Sequence, residues 1–568
     1  MTATADALDS LPGNVPVLIA GGGPSGLFLA LDLAARGVRS LVIEPRHGVD
    51  PHRPRAKTTN ARTMTHLRRL GLADELRAAA PLPVDYAQDV IFCSSLTGHE
   101  VTRFPAAFQL ETGRYEHQPE CGQQVPQPVV EQVLRAAVER SALASLHTGL
   151  SVRSLAPAPD GGSTVLIAAA DGRTRTVHAR FAAAADGGAS VIRKGLGIAL
   201  EGSSAARSNL SILFRSRALG ETISLDRAVQ YWVMNPGAAG MVGRMDLDQT
   251  WWAILQGVDP ERPPADPAEL IRTMTGADVD IEVLATDPWT ARMLLAAEYG
   301  RGSVFLVGDA AHLNPPWGGH GFNTCIGDAA NLAWKLAAVL QGWGSPELLT
   351  TYGPERRPVA GRTIRDAAAN GNALAYHFAD ARLDADDDGA RLARESARRA
   401  LEVKRSEFDS LGLVLGYAYS GSPLVAREDT PAPVEDPIRY VPSARPGCLL
   451  PHTWLADGTS VYDALGPGFT LLFDPARTTE ERFAPLRTAA AALGIPLALA
   501  GVTGPAGTSL DRLWEAPAVL VRPDQHVAWR GADGGAAAAF LPRAAGWASP
   551  AAVSTSTEGT EHGNAVIS

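Results

Sequence analysis

The chain is short of several things, and each shortage closes off a class of function. Its 568 residues carry only four lysines, Lys57, Lys194, Lys335 and Lys404, so arginine supplies nearly all the positive charge. Net charge is -10 and no dense Lys/Arg block occurs, so a nucleic-acid backbone would be repelled. The four cysteines, Cys93, Cys121, Cys325 and Cys448, form no CxxC pair; neither a disulfide framework nor a zinc site follows from them. A reducing cytoplasm fits this usage best. No apolar run approaches the roughly 18 residues that span a bilayer, and MTATADALDS lacks the basic start and apolar core of a secretory signal. These absences predict a cytoplasmic protein with no membrane, nucleic-acid or metal partner, and a monomer or homodimer is expected.

What remains is a folded chain of more than one domain. At 45% hydrophobic and 20% charged it has ordinary globular composition, and its length exceeds what a single core usually organises. The expected class is α/β, with a large first domain, a β-sheet domain and a small C-terminal domain. The first is expected over 12–190 and 285–420, with 78–125 partly serving the substrate region. The substrate sheet is expected over 191–284, where SILFRSR, AVQYWVMN and TWWAILQG are rich in aromatic and β-branched residues. Prolines crowd 421–450 and mark a linker. Residues 451–550 then read as a small α/β domain, and 551–568 as a disordered tail.

Two glycine-rich constellations carry the chemistry. VPVLIA leads into Gly21-x-Gly23-Pro24-Ser25-Gly26 and then a helical run, before SLVIE ends on Glu44. In a βαβ unit those glycines let the backbone approach a pyrophosphate at a helix N-terminus, and the carboxylate accepts from ribose hydroxyls. The second constellation is Gly308-Asp309-Ala310-Ala311-His312, followed by Pro315-Pro316-Trp317-Gly318-Gly319-His320-Gly321-Phe322-Asn323. A carboxylate at a strand end can hold ribityl hydroxyls. Glycines opening a helix can aim N–H groups at the electron-rich edge of a reduced flavin.

With Asp186-Gly187-Gly188-Ala189-Ser190-x-x-Arg193 between them and YGPERRP after them, these motifs resemble the class A FAD-dependent aromatic hydroxylases. That family includes para-hydroxybenzoate and phenol hydroxylases and polyketide-tailoring oxygenases of antibiotic biosynthesis. The resemblance runs through nearly the whole chain, and PHTWLADGTSVYDALGPGFTLLF looks like the thioredoxin-like appendage of the phenol and polyketide branches. It implies a Rossmann-like FAD-binding domain of glutathione-reductase type, a β-sheet substrate domain and a thioredoxin-like C-terminal domain, in an FAD-dependent monooxygenase in which NAD(P)H reduces the flavin and O2 adds at C4a. The resulting hydroperoxide would deliver one oxygen to a phenolic or polyketide ring.

By the same resemblance Asp309 holds the ribityl chain, Gly318, Gly319, Gly321, Phe322 and Asn323 line the isoalloxazine, and Asp186 and Gly187 serve both FAD and the transient NAD(P)H. Arg46, Arg55 and Gln127 match FAD-contacting positions, with Val152 on the adenine side. Two departures stand out: Lys57 and Thr58 occupy positions where the family commonly has glycine, and Cys325 replaces another glycine.

Pro315 and His320 are the expected neighbours of the reacting ring, although a histidine in a tight loop, like His312, is more often a structural hydrogen-bond partner. Tyr231 and Trp232 are candidates for the substrate pocket, against the plainer alternative of sheet packing shared with Trp251 and Trp252. Cys325 reads as a small buried hydrophobe, and Asp384 to Asp388 as a solvated helix end. Two further readings stay open: Baeyer–Villiger oxygen insertion on the same fold, and a flavin-binding interaction protein without turnover.

Overall fold

A computed structural model describes residues 7–52, 56–259, 266–429, 433–505 and 509–547. Arg55 and the segment 551–568 lie outside the described residues.

The first sheet is built on short apolar runs. Strands Asn14–Ala20 and Ser40–Glu44 pair in parallel, and their inner residues are buried on both faces, as expected of a parallel sheet covered by helices. The parallel order continues from Val304–Leu306 through Thr174–Ala184, Asn14–Ala20 and Ser40–Glu44 to Ala144–Thr148. An antiparallel meander, Leu150–Pro157 with Ser163–Ala169, joins through Thr174–Ala184. Helix Pro24–Ala35 starts with Pro24 at its first turn, where the missing N–H costs nothing. It packs against the long helix His320–Leu340, so the two glycine motifs open onto neighbouring helices.

The second sheet has eight strands, ordered His312–Leu313, Glu282–Ala296, Leu200–Arg215, Thr250–Val258, Ala238–Arg244, Gln230–Asn235, Val90–Cys93 and Glu100–Phe104. The boundary expected at residue 284 falls inside the strand Glu282–Ala296, which pairs with Leu200–Arg215 from Arg215↔Glu282 to Leu200↔Ala296. Residues 285–296 therefore belong to the substrate sheet and not to the dinucleotide domain. The misplacement has a physical cause: TDPWTARM holds Asp287 and Pro288, which depress strand propensity, yet both are tolerated near a sheet edge.

The C-terminal sheet is mixed. Strand Phe469–Phe473 pairs in parallel with Leu497–Gly501 and antiparallel with Ala518–Val521, which pairs with Val527–Gly531. Helices Ala484–Ala492 and Gly534–Ala544 pack together beside it, in the βαβ-then-ββα order of a thioredoxin-like unit. Residues 433–450 run along the body with little regular structure, and Ala444, Leu449 and Leu450 are buried. Among the described residues, no helix is long and apolar enough to cross a membrane.

Candidate active site

Three motifs distant in sequence meet in one groove. Gly21 sits at φ +107°, where a β carbon would lie 2.2 Å from the Ala185 carbonyl oxygen, and one at Gly26 would lie 2.0 Å from that of Gly21. Only glycine permits these approaches. The first loop is thereby pressed onto the strand end that leads to Asp186. Arg193 ties Asp186's loop to the second constellation, donating to the carbonyls of Gly188 and Ala310 at 3.1 and 3.2 Å. Gly308, at φ +64°, closes the circle: a β carbon there would meet Ser25 Oγ at 2.7 Å.

Within this groove, Gly23 and Gly187 face open space, since a β carbon added at either would meet no atom within 4 Å, and Asp309 is exposed at the end of strand Val304–Leu306. Helix Pro24–Ala35 presents its N-terminal N–H groups there. Glu44, almost fully buried, accepts from the N–H of Gly22 at 2.7 Å and from Arg46 at 2.7 Å, and Arg46 also reaches Glu131 at 2.9 Å. Gln127 opens helix Gln127–Glu139, its N–H donating to Ala56 O. Asp186 caps the short helix Val191–Gly195 through one carboxylate oxygen, while the other is buried with no hydrogen-bond partner. Val152 lies on the meander strand and packs on the core of the first domain.

The second loop is fixed from behind by groups that sequence reasoning does not single out. Asp328, wholly buried, accepts from Gly308 N–H at 3.3 Å and Arg356 Nε at 2.8 Å, and its other contact is His312 Nε2 at 2.7 Å. Those partners hold its carboxyl below the usual range against burial, which acts the other way. Arg356 is the first of the paired arginines in YGPERRP, and the run itself is the available signal. Asn323 reaches across the fold: Asn60 N–H donates to its Oδ1 at 3.0 Å, and its Nδ2 donates to Gly319 O at 2.8 Å and Thr58 O at 3.3 Å. Gly318 and Gly319 both have positive φ, and Gly319 rests against Thr58 Oγ1. Gly321 has room above it, Phe322 is half-buried, and Pro315 is buried. His320 is buried behind the loop beside a cavity of about 40 Å³ shared with Arg62, His66 and Tyr417. Burial pushes its imidazole down to about 4. Cys325 donates to Asp309 Oδ1 at 3.5 Å, and burial raises its thiol well above the ordinary value.

Period-two alternation separates the two substrate candidates. Trp232 lies on the sheet face shared with Trp252, Met241 and Leu213, in one cluster with Trp317 of the second loop. Its ring stacks on Phe92 at 5.1 Å. Tyr231 points the opposite way, among Trp251, Phe214 and Ile271 under helix Pro267–Thr275, with its hydroxyl donating to Asp226 O at 2.8 Å. Tyr231 therefore does not share a face with the second loop, and Trp289, 6.0 Å from Trp317, comes nearer to it.

Fold and groove together define a class. The sequence matches the FAD binding domain family over residues 14–367 and the aromatic-ring hydroxylase C-terminal family over 443–551. The chain belongs to the FAD-dependent aromatic-ring hydroxylases, a family of monooxygenases, and FAD is its cofactor. It is 33% identical to aklavinone 12-hydroxylase DnrF of Streptomyces peucetius, over 81% of this chain and 92% of that protein. It is 30% identical to a phenol 2-monooxygenase of Pseudomonas sp. (strain EST1001), over 90% and 89%. Among solved structures, RebC with bound 7-carboxy-K252c superposes with a TM-score of 0.85 at 35% identity, covering 95% of this chain and all of that one. Aklavinone-11 hydroxylase with FAD and aklavinone superposes with a TM-score of 0.80 at 30% identity, over 94% and 99%.

Proposed function

We propose that this enzyme hydroxylates a phenolic, polycyclic aromatic substrate of the polyketide kind, with NAD(P)H as electron donor and O2 as oxidant. The observation that carries the reading is the convergence of three motifs on one groove, opposite a sheet face lined by Trp232, Trp252 and Trp289. Bound FAD supplies two-electron reduction and the activation of O2 for transfer of one oxygen atom.

The protein's part is to bind, orient and exclude water. Glu44 receives ribose hydroxyls and the N-terminus of helix Pro24–Ala35 receives the pyrophosphate, with Arg46 and Gln127 flanking. Asp309, exposed at its strand end, receives ribityl hydroxyls, and the unpartnered oxygen of Asp186 is a further acceptor on the same groove. Gly318 to Asn323 present helix N-terminal N–H groups toward the ring, where they stabilise negative charge as it develops. His320 stays neutral at physiological pH because burial disfavours its charged form, so it adds no competing cation there. Trp317 and Trp289 lie together beside the second loop, their rings 6.0 Å apart, and offer the substrate ring an apolar flank.

The test is turnover of purified, flavin-loaded enzyme with a panel of phenols and hydroxylated anthraquinones. The expected result is accelerated NAD(P)H oxidation with a new ring hydroxyl visible by NMR. An ester or lactone product would indicate Baeyer–Villiger insertion. Absence of substrate-stimulated NAD(P)H oxidation across the panel would point to a binding protein without turnover.

A further inference from the structure

Turns that join strands usually lie at the surface, where water satisfies their polar groups. The turn between strands Ala518–Val521 and Val527–Gly531 of the C-terminal sheet does the opposite. Arg522, Pro523, Asp524, Gln525 and His526 are all buried, although only the proline is apolar. Gln525 is also held at φ +71°, a left-handed backbone that residues with a long side chain disfavour. Burying such a segment adds little stability, because desolvation of the charges offsets most of what their pairing returns.

The turn is driven into the FAD-binding domain and grips three of its helices. Arg62, in the first turn of helix Ala61–Arg69, donates to the Gln525 side-chain oxygen and, at 2.9 Å, to the Asp524 carbonyl. Asn331, on helix His320–Leu340, donates to Asp524 Oδ2 at 3.1 Å. Glu355, on helix Tyr352–Asn370, accepts from both terminal nitrogens of Arg522 at 2.7 and 2.8 Å. These same helices hold the second loop. Asn60 caps the first and donates its N–H to Asn323, which lies about two turns of helix before Asn331. Arg356, next to Glu355, reaches Asp328 behind Gly308. Arg62 spans the interval between turn and loop, since it also borders the small cavity lined by Asn60, His320 and Asn323.

Hydrogen bonds, being directional and narrow in length, fix the separation of two helices more closely than apolar contact does. A shift on the order of 1 Å at the reacting atoms, arising far from them, can change a rate about a hundredfold. We propose that this buried turn makes the C-terminal domain a positioning element of the active site. Through Arg62 it sets how helix Ala61–Arg69 stands against helix His320–Leu340, and thereby where the second loop presents its N–H groups to the flavin ring. Arg62 and Gln525 are positioning residues that act through the loop. The inference rests on the placement of the ring at the second loop given above.

The test reads the midpoint potential of the flavin in the loaded enzyme, beside the thermal midpoint of the protein. N–H groups aimed at the ring favour its reduced, anionic form, so a displaced loop lowers the potential. Gln525→Gly removes the side-chain link to Arg62 yet suits the turn, because glycine takes a positive φ without strain. It should weaken the preference for reduced over oxidised flavin about threefold or more, which is about 15 mV for a two-electron couple. Arg62→Met should lower the potential as well, and adding Gln525→Gly to it should lower it no further. Leu472→Ala, in the C-terminal core among Tyr462, Leu510 and Trp514, should lower the thermal midpoint and leave the potential where it was. Asn323→Ala, within the loop, reports on the ring placement itself. An unchanged potential in Gln525→Gly, with a shift in Asn323→Ala, overturns the proposal and leaves the ring placement standing. So does a further shift in the double variant, or a shift in Leu472→Ala equal to that in Gln525→Gly. An unchanged potential in Asn323→Ala removes the ring placement, and the proposal with it.

Discussion

The two glycine loops of the groove are built on opposite principles. The loop at Gly21 to Gly26 is made mainly by local steric necessity: Gly21 and Gly26 lie against backbone supplied by the adjoining strand end and by their own βαβ unit, while Gly23 faces open space and the Gly22 N–H is taken by Glu44. The loop at Gly308 to Asn323 is made by buried polar groups gathered from across the chain: Asp328 and Arg356 behind it, Thr58 and Asn60 in front. A backbone held mainly by contact is rigid and little affected by ionisation. One held by buried charge is only as firm as the protonation states that hold it.

The sharpest way to break the contrast is at the first loop. Gly26→Val forces a side chain into the Gly21 carbonyl and should cost more than about 3 kcal/mol, seen as poor yield of folded protein without bound flavin. A variant that purifies yellow with an unchanged thermal midpoint would show that the steric account is wrong. Next is Arg356→Met, which leaves Asp328 buried with one cationic partner fewer and should cost about 3 kcal/mol, measured by urea unfolding of the holoenzyme. Wild-type stability in that variant would mean the second loop does not depend on the charge behind it.

Acid separates the loops more gently. His320 is held near 4 in the folded protein against 6.5 ordinarily, so between those values the unfolded chain binds a proton that the folded one refuses. Stability from this source is complete above the ordinary value and falls with pH, by about 2 kcal/mol near about pH 5. His452 of the C-terminal domain, also pushed to about 4, adds to the slope. A thermal-midpoint series against pH should therefore be shallower for His320→Gln than for wild type, and equal slopes would remove His320 from the account. The smallest effect belongs to the outward face of the substrate sheet. Tyr231→Phe loses one hydrogen bond to Asp226 O, worth about 1 kcal/mol, and should leave aromatic-ligand affinity unchanged. A large change in affinity would place Tyr231 in the pocket after all.

The same contrast explains what can be read from the sequence. The first loop is legible because its causes are neighbours in the chain: an apolar strand, three glycines at fixed spacing, a helix and an acid at the next strand end. Asp309 and the glycines from Gly318 onward are legible as a motif, and the fold sets Gly308, next to Asp309, against Ser25 and ties Ala310 to the Asp186 turn through Arg193. What holds that loop is not, because the partners of Asn323 lie some 260 residues earlier and nothing in a polar residue announces its distant contact. Composition pairs Trp232 with Tyr231, yet adjacent strand residues face opposite sides, and only the register tells which side meets the loop. The domain limit at 284 fails for a related reason: a strand bearing Asp287 and Pro288 reads as a turn until its partner strand is known.

The central claim is that the two loops grip opposite ends of one FAD, and titration of flavin-free protein with FAD tests it directly. The account predicts one FAD bound per chain in wild type, and an affinity weaker by about tenfold to hundredfold in Asp309→Ala, the loss of a charge-assisted hydrogen bond. Wild-type protein that binds no FAD, or an Asp309→Ala variant that binds it as tightly as wild type, would contradict it.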